Sequence, residues 1–184
     1  HLFSSAASDV YKRQGLSYGD GFFETMLWDS FENNNKVNIG VEFWLRHLRR
    51  IKAGCKLMQI NLPSDDKIIE ERNLILKASF KEQKSGLLKM IITRGVGGRG
   101  YKFEKNMTPT TIFLSLPKPK YEKEYFKSGV VVKICKTQLS KNTNLFGYKH
   151  LNRLDSVLQD QSGRTIKFLK ESFLIRERIF WKEP

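Results

Sequence analysis

Between residues 15 and 116 the apolar positions follow two periods, and the switches between them lay out a small α/β domain. Residues 22–31 alternate in part and are rich in aromatics, which predicts a strand. Across the turn residues Asn33, Asn34 and Asn35 it pairs with a second strand over 36–39. From 41 to 58 the apolar positions 41, 44, 45, 48, 51 and 55 share one helical face, with Arg46, Arg49, Arg50 and Lys52 between them. Ser64, Asp65 and Asp66 form an N-cap cluster, so a second helix runs from there to about Lys81. Strands over 87–94 and 110–116 flank the glycine-rich stretch 95–100.

Pro117 and Pro119 then break the pattern and mark a domain boundary. Beyond them, 130–135 predicts a strand, 151–159 a helix with Leu151, Leu154, Val157 and Leu158 on one side, and 172–175 another strand. The expected organisation is a small domain over 15–116, a linker over 117–124 and the opening of a larger domain over 125–184. Both ends stand apart. The chain begins with histidine, and residues 4–14 (SSAASDVYKRQ) resemble a translated sequencing adaptor, so 1–14 are set aside from fold reasoning. Residues 171–175 open like a buried strand and 176–184 follow without cap or turn, which reads as a truncation.

Composition narrows the function classes. In a chain of 184 residues, 40% hydrophobic and 28% charged residues fit a folded, soluble protein, and no apolar run reaches membrane-spanning length. Cys55 and Cys135 cannot build a disulfide framework and stand in no metal-ligand spacing with His47 or His150. The expectation is a cytoplasmic protein with no metal. The net charge of +14 is spread along the whole chain. The basic and aromatic stretch 118–127 also carries Glu122 and Glu124 and reads as a solvated linker rather than a nucleic-acid surface. A small anionic substrate suits the same charge.

The stretch 95–100 (GVGGRG) fits the dinucleotide spacing, but no helical period follows it and Pro109 comes soon after, so no helix N-terminus awaits a pyrophosphate. A different likeness accounts for it. Residues 94–101 (RGVGGRGY) resemble the RGxGGRGY stretch of aminodeoxychorismate lyases. Residues 15–25 (GLSYGDGFFET) resemble the G-D-G-x-x-E segment shared by class IV pyridoxal-phosphate enzymes, and 47–51 (HLRRI) their H-x-x-R-L helix. Residues 149–153 (KHLNR) resemble the segment that carries the cofactor lysine. The four matches stand in family order over 15–161.

The resemblance implies the two-domain fold-type IV architecture of D-amino acid aminotransferase-like enzymes, an α/β fold with an incomplete second domain, and pyridoxal 5'-phosphate as cofactor. It implies Lys149 as the lysine that bonds the cofactor and moves protons, and Arg50 as the fork for its phosphate. Arg99 and Tyr101 match a pair that grips the substrate carboxylate in related transaminases, on a loop that reaches the neighbouring subunit, which implies a homodimer. Phe23 stands where many of the transaminases carry tyrosine, which favours the lyase. The implied reaction of the intact parent converts 4-amino-4-deoxychorismate to 4-aminobenzoate and pyruvate in folate synthesis. The rivals are a transaminase of D- or branched-chain amino acids and a basic nucleic-acid-binding module. The family's large domain continues past this chain and supplies a glutamate for the pyridine nitrogen. Glu183 falls near that place without matching surroundings, so the chain as it stands is expected to be inactive.

Overall fold

The architecture is taken from a computed structural model, which describes residues 13–33, 36–98, 100–121, 123–129 and 142–161. A short helix, α1 (Gln14–Tyr18), leads into strand β1 (Gly21–Asn33). β1 turns back into β2 (Lys36–Val41), and helices α2 (Trp44–Leu57) and α3 (Asp65–Phe80) follow. Strands β3 (Ser85–Thr93) and β4 (Thr110–Pro117) complete an antiparallel sheet of order β2-β1-β3-β4.

β1 is the hub because it has partners on both edges. Its first part, Gly21 to Asp29, pairs with β3, and its last part, Trp28 to Asn33, pairs with β2. Alternation then sends Phe22, Glu24, Met26 and Trp28 to one face, in register with Ile92, Met90, Leu88 and Gly86 of β3. On that face Leu48, Ile51 and Cys55 of α2 and Ile68 and Leu76 of α3 close the core. The helix positions recur at the three- and four-residue spacing of one buried stripe. Gly54 lets α2 come close to the sheet: a Cβ there would sit 2.9 Å from the Phe22 ring.

Several boundaries differ from the sequence expectation. The first helix starts at Trp44 rather than residue 41, because Val41 pairs with Trp28 in β2 and Phe43 takes a left-handed φ of 49°. Leu45, counted on the apolar face, is exposed. α3 does open at Ser64, whose hydroxyl accepts from the Lys67 N–H at 3.4 Å. Two short helices were not foreseen, α1 and α4 (Lys123–Ser128). The last helix, α5 (Leu154–Gln161), begins three residues later than expected; residues 149–151 instead pair with β1 as an extended segment. The expected strands over 130–135 and 172–175 lie outside the described residues.

Among the described residues, those up to Lys118 and those from Thr143 to Asn152 form one compact unit, and the remainder a second. Residues 143–152 therefore belong with the first unit, not with the second domain assigned to them from sequence. Gln14, which the sequence set aside with the tail, is buried; its N–H donates to the Gly95 carbonyl and its side chain to that of Gly98. Residues 1–12 lie outside the described residues.

Candidate functional site

Lys149 is placed by backbone pairing. On the edge of β1 that β2 leaves uncovered before Trp28, the Phe23 N–H donates to the Lys149 carbonyl at 2.9 Å. The Leu151 N–H donates to the Gly21 carbonyl at 3.0 Å, with Phe22 and His150 bridged between them. The KHLNR segment thus continues the sheet for three residues. The Lys149 Nζ sits 5.8 Å from the centroid of the Phe23 ring, and the Lys89 Nζ of β3 lies 5.3 Å from the same ring. Lys89 stands opposite Thr25 in the β1–β3 register, on the sheet face away from the helices.

The next residue of β1 points the other way. Glu24 lies in the helix-facing row between Phe22 and Met26 and is 1% exposed. A carboxylate among apolar side chains is costly unless paired and hydrogen-bonded, and two residues of α2 supply the partners. Arg50 donates from Nε to Oε1 and from Nη2 to Oε2, both at 2.5 Å, and His47 Nδ1 lies 2.7 Å from Oε2. Burial pushes the Glu24 carboxyl up. The Arg50 and His47 hydrogen bonds and the attraction of the same two groups outweigh it and hold the carboxyl below its ordinary value of 4.5. The carboxylate is therefore the resident form, and it fixes the plane of the Arg50 guanidinium.

The ends of the remaining motifs are bolted together by Arg94, 2% exposed. Its Nε and Nη2 donate to Asp20 at 2.5 and 3.1 Å, and its Nη1 and Nη2 donate to the carbonyls of Gln59 and Met58 at 3.1 and 2.8 Å. Its guanidinium also lies 3.8 Å from the Phe103 ring centroid. Arg94 and Asp20 are structural members of their motifs: they join the turn before β1, the end of α2 and the start of the glycine-rich loop.

Of the four site residues expected from sequence, Lys149 is held beside Phe23 and Arg50 is bound to Glu24, at adjacent positions of β1 whose side chains point to opposite faces. Tyr101 does not join them. It is 88% exposed, its ring 5.2 Å from that of Tyr18, at the rim of a cleft lined also by Arg94, His150 and Asn152. Arg99 and Glu183 lie outside the described residues. Glu24 and His47 are the glutamate and histidine of two of the quoted motifs, but the sequence assigned neither a role, and Lys89 was not singled out. A further signal for Glu24 was a lone carboxylate at the buried parity of a strand, between Phe22 and Met26.

The residue types present, a primary amine and a guanidinium, are those that pyridoxal phosphate asks for. Comparison with known proteins agrees. Residues 21–165 match the family model of amino-transferase class IV, whose members are pyridoxal-phosphate enzymes. The aminodeoxychorismate lyase of Vibrio harveyi is 30% identical over 146 residues, 79% of this chain and 49% of the lyase. The crystal structure of 4-amino-4-deoxychorismate lyase from Pseudomonas aeruginosa aligns at 33% identity with a TM-score of 0.67, over 83% of this chain and 52% of the other. The branched-chain amino acid aminotransferase of Escherichia coli shares the fold at 20% identity, TM-score 0.65, over 83% of this chain and 51% of the other. The chain spans about half the length of the relatives it matches. With a class IV match over most of its length, the chain belongs to the amino-transferase class IV family.

Proposed function

We propose that the protein to which this chain belongs is an aminodeoxychorismate lyase, converting 4-amino-4-deoxychorismate to 4-aminobenzoate and pyruvate. The observation that carries the reading is the placement of Lys149 and of the Glu24–Arg50 pair by two consecutive residues of β1. Identities of 30% and 33% to two lyases, against 20% to the branched-chain aminotransferase, support the choice of reaction. Bound pyridoxal phosphate supplies the electron sink for removing a proton from carbon.

The roles of this chain's residues follow. Arg50 would hold the phosphate through its guanidinium. Lys149 would hold the cofactor through its amine and would be the base that takes the proton from the ring carbon. As the ring becomes aromatic the ring C–O bond breaks, and that proton, returned to the departing oxygen, releases enolpyruvate, which becomes pyruvate. Phe23 presents an apolar face beside the Lys149 amine, with no hydroxyl to share the proton. Arg99 and Tyr101 bind the substrate carboxylate across the interface of a homodimer. No helix among the described residues is long and apolar enough to cross a membrane. The net charge of +14 suits a small anionic substrate, and its product would be used in folate synthesis in the cytoplasm.

The test begins with the absorbance spectrum of the chain with added pyridoxal phosphate, beside Lys149→Ala. A red-shifted band that borohydride fixes, and that the variant lacks, is expected. The chain extended to the full length of its relatives is then given aminodeoxychorismate, or an amino acid with a keto acid. Pyruvate release without any keto acid is the expected result. Amine transfer that depends on a keto acid would replace the lyase with a transaminase.

A further inference from the structure

We propose that Lys89 binds the ring carboxylate of the substrate. The proposal deepens the lyase reading and rests on it: the substrate amine enters at Lys149, and Lys89 receives the carboxylate at the opposite end of the ring.

Strand pairing fixes where the two lysines stand. His150 bridges Phe22, so Lys149 stands opposite Phe23 and on its side of the sheet, the face turned away from the helices. β3 pairs with the other edge of β1, and there Lys89 stands opposite Thr25 on the same face. One strand therefore separates the two lysine backbones, and Phe23 on that strand meets both side chains. Its ring centroid is 5.8 Å from the Lys149 Nζ and 5.3 Å from the Lys89 Nζ. The amines can be no further apart than those two distances together, a gap that a six-membered ring with substituents at opposite ends can bridge.

The surroundings of Lys89 ask for an anion. Its neighbours on this face are Leu87 and Ile91 along β3, Thr25 on β1 and Leu114 on β4. Among the described residues no carboxylate forms an ion pair with it. On the opposite face Glu24 is the corresponding charge in an apolar row, and Arg50 and His47 answer it. A lysine at the rim of a sheet turns its head into water. Lys89 instead sits partly buried in the middle of β3, with β1 on one side and β4 on the other. Its ammonium is a compact charge with three donors, which a carboxylate can accept from several directions.

The chemistry of the substrate supplies that carboxylate. 4-Amino-4-deoxychorismate carries two, one on the ring across from the amine and one on the enolpyruvyl group beside the amine. Arg99 and Tyr101 account for one carboxylate, and a dianion calls for a second cation. With the amine at Lys149, the carboxylate that reaches across Phe23 to Lys89 is the one on the ring, which leaves that of the enolpyruvyl group to Arg99 and Tyr101.

The test uses the chain extended to the full length of its relatives, with pyridoxal 5'-phosphate bound. Equilibrium dialysis measures its affinity for 4-aminobenzoate and for aniline. The two share ring and amine and both lack the enolpyruvyl group, so their ratio isolates the ring carboxylate. The wild type should prefer 4-aminobenzoate. Lys89→Met keeps the apolar stem and removes the charge, and it should cut the preference roughly tenfold, the scale of a lost hydrogen bond between charged groups. Aniline binding should not change, and Lys89→Arg should retain most of the preference. If Lys89→Met does not fold, Lys89→Gln is read in its place. A folded neutral variant that keeps the wild-type preference would overturn the proposal, and so would one that weakens both ligands equally, which is the mark of a purely structural lysine. A wild type without the preference would overturn it too, while pyruvate release by that same protein would leave the lyase reading standing. Keto-acid-dependent amine transfer in place of pyruvate release would bring down the lyase reading and this proposal with it.

Discussion

At the scale of single residues, Glu24 and Arg50 depend on each other unequally. Glu24 is sealed beneath α2, whereas Arg50 reaches solvent. Arg50→Ala strands a buried carboxylate with His47 alone and should cost about 3 kcal/mol. Glu24→Ala leaves an arginine able to turn outward and should cost less, about 1–2 kcal/mol. Urea unfolding of the two variants checks the order, and equal losses would contradict the burial argument. The pH dependence follows from the lowered carboxyl. Its contribution to stability is complete above its unfolded value near 4.5 and is lost as pH falls through the folded value below that. The difference in Tm between wild type and Glu24→Gln should therefore shrink as pH falls below 4.5. A difference that grows on acidification would show that the carboxyl is not held charged by Arg50 and His47.

At the scale of elements, the glycine-rich loop is two different structures in one motif. Gly95 has φ of 96°, and a Cβ on it would meet the Thr108 carbonyl oxygen at 1.9 Å. Gly98 has nothing within 4 Å of the same position. Gly95→Ala should thus cost about 2 kcal/mol or more, from strain and from moving a backbone carbonyl. Gly98→Ala should stay within about 0.5 kcal/mol. Thermal melts of the pair decide it; equal effects would mean that the loop is not fixed at its Arg94 end. The same anchoring explains why this stretch is no nucleotide loop. Its glycines serve a turn held by Arg94, Asp20 and Gln14, and the next element among the described residues is the strand β4.

At the scale of the molecule, Cys55 reports on the integrity of the core. It is fully buried against the sheet, and burial pushes its thiol up to about 12. In a Cys135→Ser background, a thiol reagent at pH 8 should modify Cys55 only through global opening, so that its rate tracks the unfolding equilibrium in urea. Modification at the rate of a free thiol in the folded protein would mean that α2 does not cover β1 as described.

The sequence by itself determined the element order from β1 to β4, because long periodic stretches and an N-cap at Ser64 express local preferences that packing had no reason to override. It also singled out Lys149 and Arg50 as candidates, since each sits in a short contiguous pattern. What it left open needed contacts between distant residues. The start of α2 was decided by the pairing of Val41 with Trp28, and residues 149–151 pair with β1 as an extended segment instead of opening the last helix. That residues 143–152 return to the first unit was decided by a vacant edge of β1, which no periodicity encodes. Glu24 lies 23 and 26 residues from its two partners and reads in sequence as a break in an apolar row. Only the closure of α2 over β1 gives that carboxylate its partners, because a buried charge is tolerated where its partners converge on it and nowhere else.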